Sequence, residues 1–237
     1  CSCRVLLSYC FPPAEGARRG LAIAMAGAVA ARRPAARLLP HTSAVFVCDL
    51  QEAFRDRIFG MPAVIDMTSR MVRCARVLGL PVFVAEQRPE RLGKTVGELR
   101  PYLSGCARRP KTKFSMLTPE VLGDLSEAGR SQVLLCGIEA HVCVLQTCVE
   151  LLAAGYEVHV VVDAVSSQRR EDRAVALHEL SRMGAVLTTF ESAVFQVLGD
   201  AAAEAFRRVS AICKEERRHA TLPFGGGHGG GRPPSRL

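Results

Sequence analysis

The chain has 237 residues, 49% of them hydrophobic, which is enough for one α/β domain with a sizeable core and tails at both ends. Its formal charge is +8, but with three Tyr and no Trp it has few side chains that could stack on bases, and much of the Arg and Lys lies near the chain ends. We therefore expect no nucleic acid as a partner, and also no membrane, because the apolar stretch 21–31 is too short to cross a bilayer. Ten cysteines without a Cys-x-x-Cys pair indicate neither a zinc site nor a disulfide framework, and they fit a reducing compartment.

Residues 1–40 are predicted to be an N-terminal extension without fixed structure. The chain begins with Cys1, and Met25 offers an alternative start. The following stretch, 26–39, contains three arginines and no acidic residue, a pattern shared by mitochondrial presequences and ordinary disordered leaders. We expect a cytoplasmic protein, with mitochondrial import as the alternative that this leader leaves open.

From Ser43 onwards, short valine-rich apolar runs alternate with stretches of helical spacing. The runs predict strands buried on both faces at 44–48, 81–85, 133–136, 157–162 and 185–188. The helical stretches are 64–78, 144–152 and 169–183, and each is closed by a glycine: Gly79, Gly155 and Gly184. This alternation predicts a three-layer Rossmann-like α/β sandwich over residues 41–214, with a largely parallel sheet covered by helices on both faces.

Two segments of this domain carry residues suited to catalysis. Asp49 ends the first predicted strand, and the segment 137–143 follows the strand 133–136. Because sites in parallel sheets lie beyond the carboxyl ends of the strands, both segments should meet at one edge of the sheet. Cys143 also stands at the predicted start of a helix, where unpaired N–H groups and the helix dipole favour a thiolate. A buried structural cysteine is the alternative.

Three segments, in this order along the chain, resemble the isochorismatase-like cysteine hydrolases, which include nicotinamidases and N-carbamoylsarcosine amidases. The matching residues are Asp49, Gln51 and Phe54 in a D-x-Q-x-x-F motif, Lys111, Phe114 and Ser115 in a K-x-x-aromatic-[Ser/Asp] motif, and Gly137, Cys143, Val144 and Thr147 around the cysteine. The resemblance spans about residues 41–214. It is carried by the ordered set, since any one motif alone would be weak evidence.

The resemblance implies a catalytic Asp-Lys-Cys triad of Asp49, Lys111 and Cys143. Cys143 would attack the carbonyl carbon of an amide, or of a related C–N bond of a small molecule, and form a thioester that water hydrolyses. Asp49 would carry the proton, and the ammonium of Lys111 would stabilise both thiolate and carboxylate. Lys113 lies on the same face of an extended segment, so only the Phe114–Ser115 register favours Lys111.

The resemblance also implies an oxyanion hole and a substrate pocket. The backbone N–H groups of Glu139 and Cys143 would hold the oxyanion, beside a cis peptide bond between Ile138 and Glu139. The candidates for shaping the pocket and binding substrate are Gln51, Phe54, Gln87, Arg88 and His141.

The chain departs from the nicotinamidases at their metal-binding stretch. Glu86-Gln87-Arg88 stands in place of Asp-x-His, and the other histidines are isolated, so we expect no metal and no cofactor. Ala140-His141 replaces the usual Thr-Asp before the cysteine, which indicates different substrate contacts. Cleavage of a vinyl ether does not need a cysteine nucleophile, so Cys143 points away from literal isochorismatase activity.

The sequence leaves two other functions open. The fold could serve as a catalytically weak protein-interaction module, with another protein as partner. Redox sensing by Cys143 would need a resolving thiol, and Cys148, five residues further on, lies off to the side on a helix. Otherwise we expect a small-molecule substrate and a homo-oligomer. Residues 215–237 are predicted to be a disordered glycine-rich tail, and its last residues, Ser235-Arg236-Leu237, resemble a peroxisomal address.

Overall fold

The computed structural model describes residues 37–217, 219 and 222–223. The alternative start at Met25, most of the leader and the terminal residues 235–237 lie outside the described residues, so the expectations attached to them stay predictions. Within the described ranges, no helix combines the length and the apolar character needed to cross a membrane.

Six strands form one parallel sheet. They are β1 (Ser43–Cys48), β2 (Val82–Gln87), β3 (Arg108–Lys111), β4 (Gln132–Ile138), β5 (Glu157–Ser166) and β6 (Val186–Thr188). Their order across the sheet is β3-β2-β1-β4-β5-β6, and every neighbouring pair is parallel. The chain therefore reverses its direction across the sheet between β1 and β4, which is where parallel sheets of this kind open a crevice for a ligand.

Helices cover both faces of the sheet and confirm the predicted three-layer α/β fold. They are α1 (Met61–Val77), α2 (Pro89–Leu92), α3 (Pro119–Glu127), α4 (Leu145–Ala153), α5 (Arg170–Met183), α6 (Phe190–Leu198) and α7 (Phe206–Lys214). One core lies under α1, α6 and α7, and the other under α3, α4 and α5. Successive residues of β1 alternate between them, since Val45 and Val47 belong to the first core and Phe46 and Cys48 to the second.

All five predicted strands are present, but β3 was not predicted. Its sequence, Arg-Arg-Pro-Lys, has no apolar run to mark it, and Pro110 cannot donate a hydrogen bond. The strand lies at the edge of the sheet and pairs only with β2. Charge and proline are common on edge strands, where they discourage pairing with other chains. The apolar pattern that predicts buried strands is therefore absent from β3.

The packed unit reaches slightly beyond residues 41–214 at both ends. Leu38 and Leu222 are buried in the core under α1. The buried guanidinium of Arg70 on α1 donates to the carbonyl oxygen of Ile212 in the last turn of α7, at 3.1 Å, and to those of Glu215 and Glu216 just after it, both at 2.9 Å. The first residues of the predicted tail are thus tied to α1.

Gly137 brings the ends of β1 and β4 together. It pairs with Cys48 in the sheet register, and its φ is +118°, a conformation that other residues rarely adopt. A Cβ at this position would overlap the carbonyl oxygen of Cys48 and lie 2.7 Å from its nitrogen. Only glycine lets the two strands approach this closely, just before Asp49 on one side and the segment 138–143 on the other.

Candidate active site

The predicted catalytic segments meet at the carboxyl-terminal edge of the sheet. A cavity of about 430 Å³ opens there. It is lined by Asp49, Phe54, Gln87, Arg88, Arg91, Leu92, Thr112, Phe114, Ile138, Glu139, Val142 and Cys143. Asp49 follows β1, Lys111 ends β3, and Cys143 lies in a π-helical turn between β4 and α4. Such turns are frequent at functional sites.

Asp49 and Lys111 form a buried ion pair, with 2.7 Å between Lys111 Nζ and Asp49 Oδ2. The thiol of Cys48 also faces Oδ2, at 3.5 Å. The other carboxylate oxygen, Oδ1, has no hydrogen-bond partner among the described residues. Asp49 adopts a left-handed conformation, with φ 50°, which is uncommon outside glycine. The carboxylate thus keeps one free oxygen in a wall of the cavity.

Lys111 is held by oxygens on several sides. Besides Asp49, its ammonium donates to Gln87 Oε1 and to the carbonyl oxygen of Phe114, both at 2.8 Å, and lies 3.2 Å from the carbonyl oxygen of Lys113. The Lys113 ammonium instead pairs with Glu150 on the surface, at 2.7 Å. Of the two lysines that the sequence offered, Lys111 is therefore the one beside Asp49.

The surroundings of Lys111 keep it charged. Burial works to lower its pKa, but the acidic groups of Cys48, Asp49 and Cys143 act against burial, and the net effect raises the pKa of Lys111 above its ordinary value. The amine therefore stays protonated at neutral pH. It supplies a fixed positive charge next to both the carboxylate and the cysteine.

Cys143 is 7% exposed and is the cysteine that lines the cavity. Its backbone carbonyl accepts a hydrogen bond from Thr147 Oγ1 at 2.6 Å, which connects the turn to α4. The thiol contacts that of Cys48, whose pKa is raised well above its ordinary value by burial and by this hydrogen bond. Cys48 was not singled out from the sequence, because its position in a buried strand indicates only packing.

The peptide bond between Ile138 and Glu139 is cis, as the resemblance implied. The carbonyl oxygen of Glu139 accepts hydrogen bonds from the N–H groups of Val142 and Val144, at 3.0 and 3.1 Å. Its carboxylate accepts one from the N–H group of Gln168, at 2.9 Å. The turn that carries Cys143 is thereby fixed to the end of β4.

Phe54 and Gln87 line the cavity, whereas Gln51 lies behind its wall. Gln51 Oε1 accepts a hydrogen bond from the Gln87 N–H at 2.7 Å, and Nε2 donates to the carbonyl oxygens of Gln87 and Gly93, at 2.9 and 2.6 Å. The Gln87 side chain is engaged as well, with Lys111 and with the carbonyl of Thr112. Gln51 is placed to hold the segment after β2 rather than to contact substrate, because its amide is fully buried and fully used.

His141 also lies outside the cavity lining, and its Nδ1 is 2.9 Å from Ser167 Oγ. Five other residues also line the cavity: Arg91, Leu92, Thr112, Ile138 and Val142. None of these was a predicted site residue. Only their nearness to strand ends could have indicated them, since nothing in the sequence shows which loop side chains turn inward.

Glu86, the first residue of the segment that replaces the metal-binding stretch of the nicotinamidases, has a structural role. Glu86 Oε1 accepts hydrogen bonds from the N–H and the hydroxyl of Thr95, both at 2.7 Å. In the part of the chain that the structure describes, no group of three or more His, Cys, Asp or Glu is placed to hold a metal ion.

Comparison with known proteins identifies the family. A model of the isochorismatase domain matches residues 43–192. The secreted isochorismatase effector Isc1 of Phytophthora sojae is 47% identical over 81% of this chain and 93% of its own length. Isochorismatase domain-containing protein 2A of Mus musculus is 45% identical over 78% and 89%.

The solved structure of MAR1 ribonuclease from Caenorhabditis elegans superposes with a TM-score of 0.72 and 40% identity, over 85% of this chain and 100% of that one. The family model covers most of the domain and both sequence relatives are at least 45% identical, so the chain belongs to the isochorismatase-like hydrolase family.

Proposed function

We propose that this protein is a cysteine-dependent hydrolase that cleaves an amide or a related C–N bond of a small molecule through a thioester intermediate. One observation carries the proposal: the buried ion pair of Lys111 and Asp49 lies beside Cys143, at a cavity of substrate size. A purely structural role does not need a buried charged pair next to a cysteine, and such pairs seldom add to stability.

The first half of the reaction forms the thioester. The Cys143 thiol gives its proton to Asp49, whose Oδ1 has no partner among the described residues. The thiolate attacks the carbonyl carbon, and the carbonyl π electrons move to oxygen. We assign the resulting oxyanion to the backbone N–H groups of Glu139 and Cys143. When the C–N bond breaks, Asp49 returns the proton to the leaving nitrogen, and an amine or ammonia departs.

The second half releases the acid. Asp49 takes a proton from a water molecule while the water oxygen attacks the thioester carbon. The C–S bond then breaks and gives a carboxylic acid and the Cys143 thiolate. Asp49 then reprotonates the thiolate. Throughout, the ammonium of Lys111 stays charged and offsets the negative charge that moves between sulfur and carboxylate.

Two alternatives are kept for the test. The same fold can act as an interaction module with little or no turnover. A ribonuclease activity is the other alternative, because the similar Caenorhabditis elegans protein is described as MAR1 ribonuclease. A homo-oligomer and a cytoplasmic location also remain proposals for this chain.

The test combines turnover with trapping of the intermediate. The full chain is incubated with a panel of small amides, and ammonia and amine release are measured, followed by mass spectrometry of the peptide that contains Cys143. We expect an acyl adduct on Cys143, and losses of about 100-fold or more in Cys143→Ser, Asp49→Asn and Lys111→Met. Cys106→Ser removes a half-buried thiol outside the cavity and should keep full activity.

Absence of turnover and of any adduct, with Cys143 no more reactive than Cys106 toward iodoacetamide, would contradict the proposal and favour the interaction module. Cleavage of labelled RNA that persists in Cys143→Ser would favour the ribonuclease reading.

A further inference from the structure

Two arginines stand at the mouth of the cavity without a partner. Arg88 follows β2 directly and Arg91 lies one turn further on, in α2. Both line the cavity and both are exposed. Among the described residues, neither guanidinium donates a hydrogen bond or forms an ion pair, in contrast to Arg55 nearby, which pairs with Glu52 and Glu98. The positive charge of Arg88 and Arg91 is therefore available to a ligand.

The segment that carries these arginines is held in place. Gln51 hydrogen-bonds to the carbonyl oxygens of Gln87 and Gly93, which stand at its two ends. The N–H of Arg88 donates to the carbonyl oxygen of Lys111 at 2.9 Å, which extends the pairing of β2 with β3. The two guanidinium groups are thus carried by a backbone that is already ordered, so a ligand that binds them does not have to order this segment.

Arg88 is also conformationally unusual. Its φ is 37°, and among the described residues only Asp49 and Arg88 are non-glycine residues with positive φ. Both line the cavity. Strained backbone conformations of this kind cluster at active sites and ligand-binding positions. Here the left-handed conformation turns the chain at the end of β2, at the rim of the cavity.

The acidic groups of the cavity do not neutralise these arginines. Asp49 is paired with Lys111, and the carboxylate of Glu139 accepts hydrogen bonds from Gln168. With Lys111 included, the cations around the cavity outnumber the carboxylates. The remaining walls are mostly apolar, formed by Phe54, Leu92, Phe114, Ile138 and Val142.

We infer that the substrate is an amide that carries a carboxylate, with Arg88 and Arg91 binding the carboxylate while the apolar walls hold the body of the molecule and Cys143 faces the amide. Guanidinium groups bind carboxylates through paired N–H donors, which gives orientation as well as affinity. A charged anchor at the mouth fixes which end of the molecule reaches Cys143. This inference rests on the proposed function, because it assumes that Cys143 attacks the amide.

The test compares two alkylating reagents of equal length. Iodoacetylglycine carries a terminal carboxylate, and iodoacetylglycinamide carries a neutral amide in its place. Both transfer the same carbon to a thiolate with loss of iodide. The rates of modification of Cys143 are measured by peptide mass spectrometry in the full chain, and the anionic-to-neutral rate ratio of N-acetylcysteine amide, a free thiol in the same buffer, serves as the reference.

We expect the ratio at Cys143 to exceed that of the free thiol by about ten-fold, since hydrogen bonds between two charged groups are roughly twice as strong as those between neutral groups. In Arg88→Gln/Arg91→Gln the ratio should fall to about that of the free thiol. The control Arg207→Gln/Arg208→Gln removes the same charge from two exposed residues of α7 and should leave the ratio unchanged. Added salt should lower the ratio only in proteins that retain Arg88 and Arg91.

Each other outcome has a definite meaning. If Cys143 reacts quickly with both reagents and shows no preference, the inference is overturned while the proposed hydrolase stands. If the control variant loses the preference as fully as Arg88→Gln/Arg91→Gln, the effect belongs to the overall charge and the inference is again overturned. If Cys143 reacts with neither reagent, the proposed function itself fails.

Discussion

The ion pair between Lys111 and Asp49 lends itself to a double-mutant cycle. Lys111→Met leaves the Asp49 carboxylate buried without a cation and also removes the donor to Gln87 Oε1 and to the Phe114 carbonyl. Asp49→Asn removes one negative charge, and the ammonium keeps its three neutral acceptors. The double variant leaves neither charge of the pair, but these acceptors lose their donor.

These differences set the expected order of the free energies of unfolding. Removing one partner of a buried pair costs about 3 to 5 kcal/mol, and each stranded acceptor adds about 1 kcal/mol. We expect Lys111→Met to cost about 5 kcal/mol and Asp49→Asn about 2 to 3 kcal/mol, because the ammonium remains solvated by carbonyls. The double variant should cost about 3 kcal/mol, far less than the two single costs added together.

Urea unfolding at neutral pH, followed by circular dichroism, measures all four proteins. Lys113→Met is the matched control, since its ammonium pairs with Glu150 on the surface, and it should cost less than about 1 kcal/mol. A double variant that costs as much as both single variants together would refute the coupling. So would a Lys111→Met protein as stable as the Lys113→Met control.

Three further predictions follow from the fold and the cavity wall. Gly137→Ala should lower the free energy of unfolding by about 3 kcal/mol or more, since the methyl group overlaps β1 at positive φ, whereas Gly123→Ala, in the open interior of α3, should raise it by about 0.5 to 1 kcal/mol; urea unfolding measures both. Gln51→Leu should speed amide hydrogen exchange over residues 88–93, because the leucine cannot bond the two ends of that segment; equal exchange rates would contradict this. Burial lowers the pKa of His159 below its ordinary value of 6.5, although its contact with Glu157 acts the other way. The unfolded chain therefore binds a proton more readily, so stability should decline as pH falls below about 6.5, and His159→Gln should weaken that decline in unfolding curves measured across this range.

The buried centre of the sheet could be predicted from the sequence because its strands lie between two helical layers. That placement produces valine-rich runs, which predict strands, and each of the five predicted strands is present. The strand β3 lies at the edge of the sheet, is mostly exposed and carries Arg, Pro and Lys, so its pattern resembles that of a loop. The helix α3 was missed although Thr118 and Pro119 give a recognisable start, and Thr118 indeed accepts a hydrogen bond from the Val121 N–H.

The residues of the candidate site could be predicted only where their position after a strand determines that they reach the cavity. Asp49 and Cys143 follow strands that the sequence predicts to be parallel, and the carboxyl ends of parallel strands lie at the same edge of the sheet. Lys111 came from resemblance alone, because its strand was not visible. The direction of each side chain depends on tertiary packing, which explains why Gln51 points behind the cavity wall and Arg91 into its mouth.

The position of Lys111 on a short edge strand ties chemistry to local order. Strand β3 has four residues and pairs with a single neighbour, so backbone bonds hold it weakly compared with the central strands. The ammonium of Lys111 is bound by Asp49, by Gln87 at the end of β2 and by the carbonyl oxygen of Phe114, so it adds an attachment between this edge strand and the middle of the sheet. Fraying of β3 would move Lys111 away from Asp49 while the rest of the molecule stays folded. Loss of reactivity at Cys143 on warming would then report the detachment of one strand, well before the melting of the domain.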